Sequence, residues 1–296
     1  MNGLLFYVAT ENHFIGGIKQ KHDLLKKIVA PRIILVGGSG VGYSIDSELL
    51  AKETGKEVIN MGVFAQFGLR YMLEEVKADI QKDDVVIVVP EYSHFYYLFE
   101  GWRGWNELLL VYPKALTFLT SMNQVRAIGR AFPRFYRQKV KTLGKNLAAK
   151  LTTGGAANTS YNTNGDYIAH LDSKEVFDLT ETGLFHQFVD TTKLKLNKAI
   201  VPFLNNFQKE LAQKGATFYF SYPTIPLLQF DNSQNFIEKV AQNVTEKATF
   251  KVLNQPAQEV QPLDDFYDTV YHLKRAGRTQ RTQRLVEYWK SQDSGF

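Results

Sequence analysis

The chain has no cysteine among its 296 residues. That absence excludes disulfides, a thiolate nucleophile and cysteine-ligated zinc. Nowhere does it hold the ~18–20 consecutive apolar residues that a membrane-spanning helix needs. Its glycine-rich turn is not followed by Gly-Lys-Ser/Thr, so a P-loop is disfavoured even though such turns can cradle phosphate. Acid is missing from one long stretch. Between Leu108 and Gly165 stand Lys114, Arg126, Arg130, Arg134, Arg137, Lys139, Lys141, Lys145 and Lys150, and no Asp or Glu.

What is present is ordinary globular material. Apolar residues make up 44% and charged residues 22% of the chain, enough to build a sizeable core. The length suits one large α/β domain with an elaboration, and residues 1–296 read as a single domain. The opening MNGLLFYVATENHF is apolar but short, with no basic n-region and no clear cleavage site. It reads equally as the stub of a membrane anchor and as an amphipathic start.

Five segments read as short buried strands: Ile33–Val36, Glu57–Met61, Asp84–Pro90, Ala216–Pro223 and Phe250–Leu253. Helical patterns separate them, and Gly55 and Gly215 are plausible helix stops. Strand and helix in alternation are the signature of βαβ units. Continuous apolar runs such as DVVIVVP fit strands covered on both faces. The expected fold is a flavodoxin-like three-layer α/β/α sandwich with a five-stranded parallel sheet in the order 2-1-3-4-5. Residues 95–190 break the rhythm and read as a mostly helical, basic insertion or cap. Within them, TTGGAANTSYNTNG reads as a loop or hinge.

In a doubly wound sheet, ligands bind beyond the carboxyl ends of the strands where the strand order reverses. Ser39 follows the first strand in GGSG, Gly62 the second in NMG, and Glu91 to His94 the third in PEYSH; His272 comes after the last strand. A serine hydroxyl needs a base within reach, and the base needs an orienting acceptor. His272 can be that base, with Asp268, or less readily Asp264 or Asp265, as its partner. The backbone N–H groups of Ser39 and Gly62 are candidate oxyanion donors. His94 and His186 are further candidates to line the crevice.

These blocks resemble the SGNH (GDSL-like) hydrolase and acyltransferase superfamily: GGSGVG with Ser39, NMG with Gly62, and FYDTVYHLKRAG with Asp268 and His272. The resemblance covers the strand skeleton and not residues 95–190. More narrowly, PEYSHFY with DTVYHL is similar to a bacterial, often membrane-anchored subgroup related to polysaccharide O-acyl transfer proteins. It implies a serine esterase or O-acyltransferase acting on a cell-envelope carbohydrate, without a cofactor or metal, in the periplasm or at the cell surface; the lack of cysteine fits a cytoplasmic location equally. Three positions depart from the pattern. Gly38 replaces the acidic residue before the serine. PEYSH replaces Gly-x-Asn-Asp, whose asparagine donates to the oxyanion, so either Tyr92 or His94 takes over or the hole is incomplete. Asp268 and His272 are four residues apart rather than three.

Each of these residues also has a structural reading. Ser39 can be a turn residue and N-cap, His272 a helix-start histidine, Asp268 an N-cap and Gly62 a turn glycine. Trp102 and Trp105 can stack on a substrate, as Glu91 can contact one, or the tryptophans can pack the insertion onto the body. Glu91 and His94 make two metal ligands without a third. The basic stretch over 108–165 suits an anionic membrane surface, an anionic glycan or plain solvent; nucleic acid is not expected, since no reading motif accompanies it. The alternative to an enzyme is a non-catalytic SGNH-like protein that binds glycan or assists export.

Overall fold

The computed structural model describes residues 13–150, 160–174 and 193–292. Five parallel strands form the sheet: β1 (Arg32–Gly37), β2 (Glu57–Asn60), β3 (Val85–Val89), β4 (Thr217–Phe220) and β5 (Lys251–Val252). Their order is β2-β1-β3-β4-β5. Among the helices are α1 (Ile18–Lys27), α2 (Ser39–Ser44), α3 (Ser47–Thr54), α4 (Leu69–Lys77), α5 (Trp105–Val111), α6 (Met122–Lys150), α7 (Ile200–Gln213), α8 (Gln234–Lys247) and α9 (Arg275–Gln292).

Side chains on a strand alternate between faces, and that alternation sorts the core into two layers. Ile34, Val36, Ile59, Val86, Val88, Phe218 and Phe220 pack with residues of α1, α4, α7 and α8. Ile33, Leu35, Val58, Val85, Ile87 and Val89 face the other way, onto Leu50 of α3 and Leu285, Val286 and Trp289 of α9. All residues of β1 and β3 are buried. This is the flavodoxin-like three-layer α/β/α sandwich that the strand rhythm predicts.

Capping explains several helix ends. Asp46 accepts from the Leu49 N–H and starts α3, and Gly55, with φ 66°, ends it. The helix is interrupted at Ile45–Asp46, where the backbone is extended, so the segment after the glycine-rich turn is two helices rather than one. A further short parallel pair, Ile225–Pro226 with Val260–Gln261, was not legible as strand. Within the 95–190 excursion, α5 packs Trp105 and Leu108 into the core, the described side chains of α6 are largely exposed, and residues 160–174 pack on the body. Residues 151–159 of the expected loop and His186 lie outside the described residues, as do the side chains of Lys139, Lys141, Lys145 and Lys150. No described helix is long and apolar enough to cross a membrane.

Candidate active site

The switch between β1 and β3 places Ser39 at the first position of α2, after the extended Gly38. Its N–H is one of the helix-start groups with no intrahelical acceptor. Gly37 and Gly38 are small for steric reasons. A Cβ on Gly37 would fall 2.3 Å from the Val89 carbonyl oxygen, and one on Gly38 would fall 2.4 Å from Glu91 Oε1.

His272 Nε2 lies 2.8 Å from Ser39 Oγ. On the far side of the ring, Nδ1 lies 2.6 Å from Asp268 Oδ1. With Asp268 ionised, Nδ1 carries the ring proton and Nε2 accepts the Ser39 hydroxyl proton. The spacing of four between Asp268 and His272 works because their loop is pinched at its base. Phe266 and Leu273 form an antiparallel bridge, and the Tyr267 N–H donates to the His272 carbonyl at 2.8 Å. Asp268 is 43% exposed, whereas the His272 side chain is 10% exposed. The imidazole stacks on Tyr43 of α2, with centroids 3.8 Å apart and planes at 8°.

Ser44 ties this loop to α2. Its hydroxyl donates to the Tyr271 carbonyl at 2.6 Å and accepts the Leu273 N–H at 2.8 Å. Ser44→Ala leaves that buried N–H unpaired and should cost about 1–3 kcal/mol in a urea melt. Retention of wild-type stability would mean the tie carries nothing. His170 Nε2 donates to the Leu273 carbonyl at 2.8 Å, so Nε2 carries the proton. Burial holds His170 down at about 4, so it stays neutral beside the site.

The other expected site residues fall as follows. Gly62 is close to α2, but its N–H donates to Asn60 Oδ1 at 2.9 Å. The expectation that Tyr92 or His94 replaces the missing asparagine is not met. His94 is fully buried, accepts the Glu91 N–H at Nδ1 and lies 3.1 Å from the Ala65 carbonyl at Nε2, so both ring nitrogens are used. Burial lowers it to about 4. Tyr92 is buried in the core against Tyr222, and its N–H donates to the Tyr271 hydroxyl. Trp105 is 1% exposed and packs on Tyr71 and Phe67, which leaves no face for a ligand. Trp102 is 43% exposed, with the Arg103 guanidinium 5.5 Å from its ring. Among the described residues, no group of three or more His, Asp or Glu is placed to hold a metal ion.

Glu91 is the group whose setting the sequence did not reveal. Its carboxyl is buried beside Ser39 and Gly40, and burial pushes it up to about 7. The nearby Gly40 N–H and Ser39 hydroxyl oppose that rise without cancelling it. Asp166 was missed entirely. It sits fully buried under α2, accepting from the Ser47 hydroxyl and N–H, Asn60 Nδ2, Asn162 Nδ2 and Arg278 Nη2. Only the run of turn residues around it was visible beforehand.

No protein-family model matches the chain, and no curated protein matches it either.

Proposed function

We propose that this chain is a serine-dependent esterase or O-acyltransferase that works through an acyl-enzyme on a cell-envelope carbohydrate. One observation carries the reading: the Asp268–His272–Ser39 relay, with separations of 2.6 and 2.8 Å. The likeness of GGSGVG, NMG and FYDTVYHLKRAG to the SGNH blocks supports the ester chemistry, and that of PEYSHFY with DTVYHL supports the carbohydrate class.

In the first half-reaction the Ser39 Oγ bonds to the acyl carbon while its proton passes to His272 Nε2. Asp268 stabilises the imidazolium so formed. The tetrahedral oxyanion is met by the Ser39 N–H. Collapse breaks the ester C–O bond, and His272 returns the proton to the leaving alcohol. Water or a sugar hydroxyl then reverses the steps, giving hydrolysis or transfer. An extracytoplasmic setting goes with an envelope substrate. Helix α6 supports an anionic membrane surface or anionic glycan as neighbour. Met122, Val125, Phe132, Tyr136 and Val140 are exposed on it, among Arg126, Arg130, Arg134 and Arg137.

A specific observation favours a second reading. With the Gly62 N–H bonded to Asn60, the oxyanion site is short of donors, as it would be in a non-catalytic glycan-binding or export-assisting protein. A fluorophosphonate probe and a short-chain p-nitrophenyl ester separate the two. The enzyme reading expects wild type to be labelled and to turn the ester over, and Ser39→Ala to do neither. A wild-type protein inert to both reagents would leave the non-catalytic reading standing.

A further inference from the structure

We propose that Glu91 serves as a protonated oxyanion donor, its carboxylic O–H taking the place of the side-chain amide that PEYSH lacks. The inference rests on the esterase reading and names a further catalytic group within it.

The geometry argues through proton counting. Ser39 has one hydroxyl proton, and the relay commits it to His272 Nε2 at 2.8 Å. The Glu91 carboxyl is a further polar neighbour of that hydroxyl, its Oε1 3.4 Å from the adjacent Gly40 N. A hydrogen bond between the two therefore needs its proton from Glu91. The carboxyl also has backbone donors: Gly40 N–H to Oε1 at 3.4 Å, and His94 N–H through the turn that Glu91 caps. A neutral carboxyl satisfies both demands, accepting at its carbonyl oxygen and donating at its hydroxyl.

Among the described residues, nothing supplies a free counter-charge. From α2 it is faced by Ser39 and Gly40, and from its own turn by His94 and Tyr97. From the C-terminal loop it is faced by Tyr271. Arg281 lines the same small pocket, together with Thr224 and Tyr271. That guanidinium is committed to Glu259 at 2.9 Å and to Ser221 at 2.7 Å. A buried carboxyl without a partner cation keeps its proton. An ionised one beside Ser39 would repel the oxyanion that the reaction creates.

The position also accounts for Gly38. Any side chain there would occupy the space that the Glu91 carboxyl fills, 2.4 Å from a Cβ. Glycine before the serine and glutamate after β3 are thus one arrangement. The Ser39 N–H and the Glu91 O–H then flank the place where an acyl oxygen arrives.

The experiment measures kcat and KM against pH for wild type, Glu91→Gln and Glu91→Ala with a p-nitrophenyl ester, plus an infrared difference spectrum without substrate. Wild type should lose rate about tenfold per pH unit above about 7, where Glu91 ionises. Glu91→Ala should lower kcat ~10²–10³-fold at pH 6 with little change in KM, the usual loss of one oxyanion donor. Glu91→Gln, which donates from an amide at every pH, should recover most of that rate and lose the alkaline fall. A protonated-carboxyl band at pH 6 should be present in wild type and absent from Glu91→Gln. The proposal is overturned if Glu91→Ala keeps the wild-type rate, if Glu91→Gln keeps the alkaline fall, or if the band is missing. A wild type that neither labels nor turns over ester overturns the esterase reading itself, and the donor role with it; labelling and turnover that ignore position 91 sink the donor role alone.

Discussion

His272→Ala is expected to lower kcat on a p-nitrophenyl ester ~10⁶-fold while the fold survives. The reason is that a serine hydroxyl does not give up its proton unaided, and the imidazole Nε2 at 2.8 Å is the base in reach. Relay groups act as a unit, so Ser39→Ala combined with His272→Ala should cost no more than either change alone. Asp268→Asn should cost less than the ~10⁴-fold seen where the relay carboxylate is fully enclosed. Asp268 is 43% exposed, so water can take over part of its work on Nδ1. Stability needs checking in parallel, because the His272 ring stacks on Tyr43 at 3.8 Å and leaves a gap there when removed. A loss smaller than tenfold in folded His272→Ala would mean the 2.8 Å contact is structural.

The relay could be read from sequence because its parts are strongly constrained. A serine in GGSG after an apolar strand must sit at the sheet's C-terminal edge, since burial on both faces fixes that strand as central. DVVIVVP announced β3 in the same way, and Gly55 and Gly215 marked helix ends because both take positive φ, 66° and 77°. Other features were hidden because long-range packing creates them. Glu91 is five letters from nothing unusual; its meaning comes from burial beside a turn 51 residues earlier in the chain. The Gly62 N–H looked available because no pattern reports that Asn60, two residues before, turns its own side chain back onto it. Tyr92 and His94 looked like donors because a 3₁₀ turn over Tyr92–Phe95 does not announce which way its side chains point. Residues 160–166 read as hinge because Asn, Thr and Gly favour turns, and the same residues can fold around a buried charge.

That buried charge carries the largest stability effect. Asp166→Ala is expected to destabilise the protein by about 3–5 kcal/mol, the loss typical when one partner of a buried ion pair is removed. Asp166 is fully buried, and Arg278 across from it is 3% exposed, so the guanidinium would lose its close carboxylate partner and keep only Asp46 Oδ1, 3.8 Å away. The Asp166 carboxylate also accepts from Ser47 at the start of α3, Asn60 at the end of β2, and Asn162 within its own turn. One side chain therefore joins the excursion to two central elements and to α9. A folded domain holds only about 5–15 kcal/mol in reserve, so urea melts should show a large fall in midpoint. Asp166→Asn should lie between, since an amide can still accept from Ser47 while the charge facing Arg278 is gone. The contrast is Asp172 in the same segment: its ion pair with Arg275 is 84% exposed on the acid side, and Asp172→Ala should change stability by about 0–1 kcal/mol. Equal effects at the two positions would refute the argument. Tyr167, next in the chain, donates its N–H to the Gly42 carbonyl at 2.9 Å. Loosening at Asp166 therefore reaches α2, and with it Ser39 at its first turn.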